Sequence, residues 1–250
     1  MPADLPRSVV FIDLDHTLLE GPFETVVFPQ ILGEISRQTG LGYEDLLSQV
    51  RQENLKRMAG PPFSPVQAMD WDDIFSQAAA SLGARLRFTA VELVQAYLRP
   101  PYIHLHEGAR EALERLSQDR PRRAVVLATK GLRKYQLPLL QAFDLTSFFD
   151  ELITPDSYLA LKYSPAFYGS WPQRTRLQVM VGDNYQDDVL PAHRFGFKTI
   201  WVNRSPRQQP DGRWTWDLPE GQSLWPDATI VSLVELPDWV CKFEREVFTA

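Results

Sequence analysis

Cysteine is all but missing from this chain. Cys241 is the only one in 250 residues, which excludes any intrachain disulfide. Long apolar runs are missing too: nothing approaches the roughly 20 consecutive apolar residues that span a bilayer. The first ten residues, MPADLPRSVV, lack the charged head and apolar stretch of a secretory signal. No basic stretch suits a nucleic-acid backbone, and the net charge is −6. There is no internal repeat and no low-complexity tract. These absences set the expectation of a cytoplasmic protein with no membrane and no nucleic-acid partner.

What is present is an ordinary globular composition, 44% apolar. The length allows one large or two modest domains. Tryptophan is plentiful; Trp214, Trp216 and Trp225 read as structural, and Cys241, in a C-terminal helical segment, reads as a small buried hydrophobe.

Hydrophobic periodicity divides the chain. After a first strand ending near Ile12, residues 24–38 place Val27, Ile31, Leu32 and Ile35 on one helical face, and residues 43–58 repeat the habit. The stretch GPPFSP breaks the pattern, helices are expected over 70–82 and 89–98, and Pro100–Pro101 mark a boundary. From there helix and strand alternate: helix 107–117, strand 124–128, helix 134–143, strand 151–154, helix 165–172, strand 177–181, helix 186–195 and strand 198–202. Residues 204–227 read as a long loop or short hairpin, and 230–240 as a returning strand and helix. Such alternation predicts an α/β fold, a doubly wound, Rossmann-like parallel sheet with helices on both faces. Residues 1–19 and 105–250 form that core, and 20–104 a smaller α-helical insert.

Four segments at predicted strand ends carry chemistry. In FIDLDHTLL, the β-branched run Val9–Ile12 is followed by Asp13 and Asp15, which share a face if the chain stays extended. Two close carboxylates bind a cation or push their pKa values apart, so that one holds a proton. An aspartate can also attack phosphorus. In VMVGDNYQDD, Gly182 permits a tight turn before Asp183, and Asp187 and Asp188 follow. Three acids at a strand end call for neutralisation, and a hard cation such as Mg²⁺ would supply it; either of the last two acids also suits a helix start. Thr129, at the end of the run Ala124–Ala128, offers a hydroxyl beside Lys130 and Gly131, and Lys162 offers positive charge. Ligands bind parallel sheets at the carboxyl ends of strands, where Asp13, Thr129 and Asp183 all fall.

Together these segments resemble the haloacid dehalogenase superfamily, in its phosphatase-like branch. Asp13-Leu14-Asp15-His16-Thr17 matches DxDx[TV]; Thr129, Lys162 and Asp183 with Asp187 or Asp188 match the second, third and fourth motifs. The resemblance implies a Mg²⁺-dependent phosphatase. Asp13 would be the nucleophile and Asp15 the general acid and base. Thr129, Lys130 and Lys162 would hold the phosphoryl group. Asp13, Asp183 and Asp188 would bind Mg²⁺ with Asp15, the last through its backbone carbonyl. It also implies that dehalogenases lack an acid at Asp15, which this chain keeps. Counting back from Gly196 favours Asp188 over Asp187. His16 stands where Gly or Asn is frequent, and reads as a solvated turn residue.

The insert, 20–104, occupies the place of the cap that sets substrate choice in that superfamily. Arg51, Lys56 and Arg57 read as a solvated face, and Phe23, Phe63 and Trp71 as core packing. The expected partner is a small phosphorylated metabolite, with monomer and homodimer both open. A phosphotransferase or phosphomutase, or a non-catalytic binding protein, are the alternatives.

Overall fold

The computed structural model describes residues 6–120, 122–208 and 214–249. Its strands are β1 (Ser8–Ile12), β2 (Leu19–Glu20), β3 (His104–Leu105), β4 (Arg123–Ala128), β5 (Glu151–Ile153), β6 (Leu177–Gly182), β7 (Lys198–Val202), β8 (Arg207–Gln208), β9 (Trp214–Thr215) and β10 (Ala228–Ile230). Between β2 and β3 lie helices α1 (Phe28–Thr39), α2 (Tyr43–Met58), α3 (Pro65–Met69), α4 (Trp71–Ser81) and α5 (Ala90–Ala96). The remaining helices are α6 (Ala109–Ser117), α7 (Arg133–Ala142), α8 (Pro155–Tyr158), α9 (Trp171–Arg174), α10 (Leu190–Arg194) and α11 (Leu236–Phe248).

The main sheet has six strands in the order β10-β7-β6-β1-β4-β5, all parallel. Every residue of β1 is buried. Alternation along the strand sends Val10 and Ile12 to one face and Val9 and Phe11 to the other, which is why the strand reads as one apolar run. The first face is covered through Ala112 and Leu116 of α6, Leu139 of α7, and Val240 and Phe243 of α11. The second is covered by Phe167, Tyr168, Trp171, Ala192 and Phe197. Chain order reverses on either side of β1, which puts the crevice beyond its carboxyl end at a topological switch point.

Helices α1, α2, α4 and α5 bury a cluster of their own, with Ile31, Leu32, Leu46, Val50, Ile74, Phe75, Leu93 and Val94 among its members. Leu132, Tyr135 and Leu161 join it from the α/β part. Asp70 caps α4 through the amides of Asp72 and Asp73, and its carboxylate also receives the Tyr135 hydroxyl at 3.0 Å and the Lys134 ammonium at 2.7 Å. No described helix is long and apolar enough to cross a membrane.

The strands predicted from Val9 to Val202 fall where expected, within one residue at either end, whereas the returning strand expected from 230 is Ala228–Ile230 and ends there. The helix expected over 165–172 is two short turns, Pro165–Tyr168 and Trp171–Arg174, because Gly169 between them has φ +56°. The expected helix 186–195 opens with a wide turn, Tyr185–Val189, before α10. Helix α3 arises within a proline-rich stretch, where Pro65 at its first position and a capping box between Ser64 and Gln67 start it. The segment 204–227 contains the antiparallel pair β8–β9. Three side-chain expectations are corrected. Cys241 is exposed on the outer side of α11 while Val240 and Phe243 take the buried side. Trp225 is exposed, although Trp216 packs with Tyr185 and Trp201. Arg57 is buried, bonded to Glu53, Asp73, Gln77 and the Gln67 carbonyl, with its guanidinium over Phe63. The residues MPADL and the side chain of Trp214 lie outside the described residues.

Candidate active site

Asp13 follows the last residue of β1, and its amide donates to the Val181 carbonyl at 2.9 Å, so β6 holds it in register. The chain then turns sharply. The Leu14 carbonyl accepts from Leu18 at 2.9 Å, and His16 adopts φ +59°. That left-handed conformation is one that Gly or Asn adopts readily, and His16 holds it here. The His16 side chain is 54% exposed and pairs with Glu20 at 2.8 Å, as a turn residue should. Arg204 pins this turn by donating to the carbonyls of His16 (2.6 Å) and Thr17 (2.8 Å).

Thr17 links the first and last motifs. Its hydroxyl accepts from the Asp183 amide at 3.0 Å and reaches Asp13 Oδ2 at 3.3 Å and Asp183 Oδ1 at 3.2 Å. Asp188 is buried and meets the Lys162 ammonium at 2.6 Å, while its other oxygen accepts from the Asn184 amide at 3.0 Å. A Cβ on Gly182 would lie 2.1 Å from Asp188 Oδ2, so glycine there is what lets this carboxylate enter. Lys162 also donates to Asp13. Asp187 lies at the rim, paired with Lys130, and its amide is capped by the Asn184 side chain at 3.1 Å. Of the two acids of the last motif, Asp188 is therefore the one inside the cluster.

Thr129 is buried, its hydroxyl accepting from Gly131 at 3.3 Å and retaining its own proton to donate. Asp15 accepts from Gln136 Nε2 at 2.7 Å. All of the expected site residues, Asp13, Asp15, Thr129, Lys130, Lys162, Asp183 and Asp188, line one cavity of about 120 Å³. The side chain of Lys130 turns to Asp187, so any phosphate contact from Lys130 falls to its backbone. A larger cavity of about 520 Å³ shares Asp15, His16, Lys130, Gly131 and Asn184 with it, and is walled by Phe23, Phe28, Trp71 and Tyr135, with Arg51 on its edge.

Charge is unbalanced here. Burial, followed by the Asp13 charge, raises the Asp15 pKa to about 6. The same two causes raise Asp183. Burial raises Asp188 against the pull of Lys162, with Asp13 adding to the rise. For Lys162, burial opposes the charge but Asp13 and Asp188 outweigh it, and its pKa rises. One ammonium thus faces several carboxylates. Asp13, Asp183 and Asp188 can each offer an oxygen, all within 4.8 Å of one another. This all-oxygen, anionic donor set fits a hard divalent cation such as Mg²⁺.

Gln136 and Arg204 escaped the sequence reading. Both act across the fold, Gln136 on a residue 121 positions away, and no local pattern marks them.

A family model described as haloacid dehalogenase-like hydrolase matches residues 10–202. The pyrimidine 5′-nucleotidase YjjG of Escherichia coli (strain K12) is 27% identical over 137 residues, 52% of this chain and 56% of that protein. The match thus spans little more than half of that relative. Among solved structures, a HAD phosphatase from Thermococcus onnurineus superimposes with a TM-score of 0.68 at 24% identity, covering 93% of this chain and 97% of its own. The L-2-haloacid dehalogenase of Xanthobacter autotrophicus gives 0.59 at 20%, covering 95% and 99%. At these identities the structural matches speak to the fold.

Proposed function

The chain belongs to the haloacid dehalogenase-like hydrolase family, and from that premise we propose that it is a Mg²⁺-dependent phosphatase acting on a small phosphate monoester. The observation that carries this reading is Asp15. A carboxyl two residues beyond Asp13, with its pKa raised to about 6, can hold a proton beside the cavity and give it to a leaving oxygen. Carbon–halogen cleavage needs no such donor.

In this reading a carboxylate oxygen of Asp13 attacks phosphorus, the ester P–O bond breaks, and Asp15 protonates the departing alcohol. An aspartyl-phosphate on Asp13 results. Asp15, now ionised, takes a proton from water as that water attacks phosphorus and returns Asp13 as a carboxylate. The Thr129 hydroxyl and the Lys162 ammonium meet the phosphoryl oxygens, and Lys162 also holds Asp13 in place. Asp13, Asp183 and Asp188, with the Asp15 carbonyl, would hold Mg²⁺, which offsets negative charge on the cluster and the phosphoryl group.

We read residues 20–104 as a cap over this site. The aromatic wall of the larger cavity would receive the leaving group, and the nucleotidase relative places nucleoside monophosphates among the esters to try. The test is phosphate release from a panel of monoesters, with Mg²⁺ and with EDTA, beside halide release from 2-haloacids. Metal-dependent phosphate release lost in Asp13→Asn supports the reading. Halide release without phosphate release overturns it.

A further inference from the structure

Gln136 sits in the first turn of α7, 2% exposed, and donates through Nε2 to Asp15 Oδ2 at 2.7 Å. Its other amide atom, Oε1, is buried and has no hydrogen-bond partner among the described residues. A buried glutamine serving only packing would satisfy both ends. Here the sole side-chain bond goes to Asp15, so that contact sets the amide's orientation. The route to Asp15 crosses Gly131, where a Cβ would lie 1.7 Å from Gln136 Nε2. The bare backbone at 131 therefore opens the path.

We propose that Gln136 is a positioning residue for Asp15, the amide N–H engaging Oδ2 so that Oδ1 is the oxygen presented to the leaving group. Oδ1 turns toward Gly21, on the wall of the larger cavity, where a leaving group would lie. A carboxyl with both oxygens free to rotate offers its proton in many directions; one held at Oδ2 offers it in one. The inference rests on the reading of Asp15 as the acid.

The test uses substituted phenyl phosphates of one shape and graded leaving-group acidity, with kcat/KM as the readout because it spans binding through transfer to Asp13 and excludes the later hydrolysis. A misplaced acid matters little when the departing phenolate is stable and much when it is not. Gln136→Met should lower kcat/KM about 10-fold or more for the least acidic phenol, and under about 3-fold for p-nitrophenyl phosphate, a share of the ~10²–10⁴ that acid catalysis contributes. Gly131→Ala, which crowds the amide without altering it, should steepen the dependence in the same sense, and carries the test if Gln136→Met does not fold. A uniform fall across the series, or none, overturns the proposal while Asp15→Asn still shows a steepened dependence. If Asp15→Asn itself shows no steepening, the acid reading falls and this inference with it.

Discussion

The ammonium of Lys162 reaches the buried carboxylate of Asp188 at 2.6 Å, and the same nitrogen donates to Asp13. One cation thus ties the third motif to the last and the first. Both carboxylates are buried, Asp188 almost fully, and Lys162 is the cation they share.

Removal of that cation should therefore cost stability as well as turnover. Lys162→Met leaves two buried carboxylates facing each other, and breaking a buried pair from one side costs about 3–5 kcal/mol. Urea denaturation in EDTA should show a loss of that size, and added Mg²⁺ should recover part of it. A loss under about 1 kcal/mol would mean that the carboxylates find other partners.

Asp187 and Asp188 stand side by side in sequence but not in role. Asp188→Asn should raise the Mg²⁺ concentration for half-maximal activity by about 10-fold or more, as loss of a metal-directed group does. Asp187→Asn breaks a rim pair with Lys130 worth ~0–1 kcal/mol, and the Mg²⁺ dependence should stay within about 3-fold of the parent. The reverse ranking would move the cation site to the rim.

Asp13→Asn should fold and bind phosphate esters yet lose at least ~10³-fold in turnover, because an amide cannot take the nucleophile's part. Mass spectrometry of the parent, quenched during turnover, should find a phosphoryl group on the peptide bearing Asp13 and none in the variant. Ester turnover by the variant near the parent rate would remove Asp13 from the chemistry.

How much of this was legible beforehand follows from the range over which each feature is encoded. The strand-end positions of Asp13, Thr129 and Asp183 follow from apolar runs a few residues long, and parallel pairing then brings them together: Ile12 pairs with both Leu127 and Val181. The buried state of Arg57 depends on Asp73 and Gln77, one helix away, and helical spacing alone reads it as a solvated face. Counting back from Gly196 favours Asp188 over Asp187, but the physical reason, the wide turn Tyr185–Val189 and the space over Gly182, is not visible in residue type. Gln136 needs the α7 packing angle to reach Asp15, so no motif signals it. Residue type alone reads Cys241 as buried, while the burial of a helix residue is set by its face.

The raised pKa of Asp15 makes a prediction about stability whose sign is fixed. Its folded value, about 6, lies above the ordinary 3.8, so the folded state holds more protons than the unfolded one between those values. Stability from this group is then greatest below about pH 4 and declines as pH rises through 6. The two-unit gap corresponds to at most ~3 kcal/mol, reduced because the side chain is partly open to the cavity. Asp183 and Asp188, also raised, slope the same way. So does His16: burial lowers its pKa, but Glu20, Asp183 and Asp15 raise it further. Lowered carboxylates such as Asp70 slope oppositely, where Lys134 and Tyr135 outweigh burial, so a bare pH titration of the parent mixes signs. Comparison with Asp15→Asn removes this group together with its pull on His16 and leaves the other carboxylates in place. In EDTA, urea denaturation of both proteins at pH 4.5 and 6.5 should show the variant gaining stability relative to the parent at the higher pH. A constant difference between the two would mean that Asp15 carries no raised pKa in the folded chain, and the proton it is proposed to deliver would have to come from elsewhere.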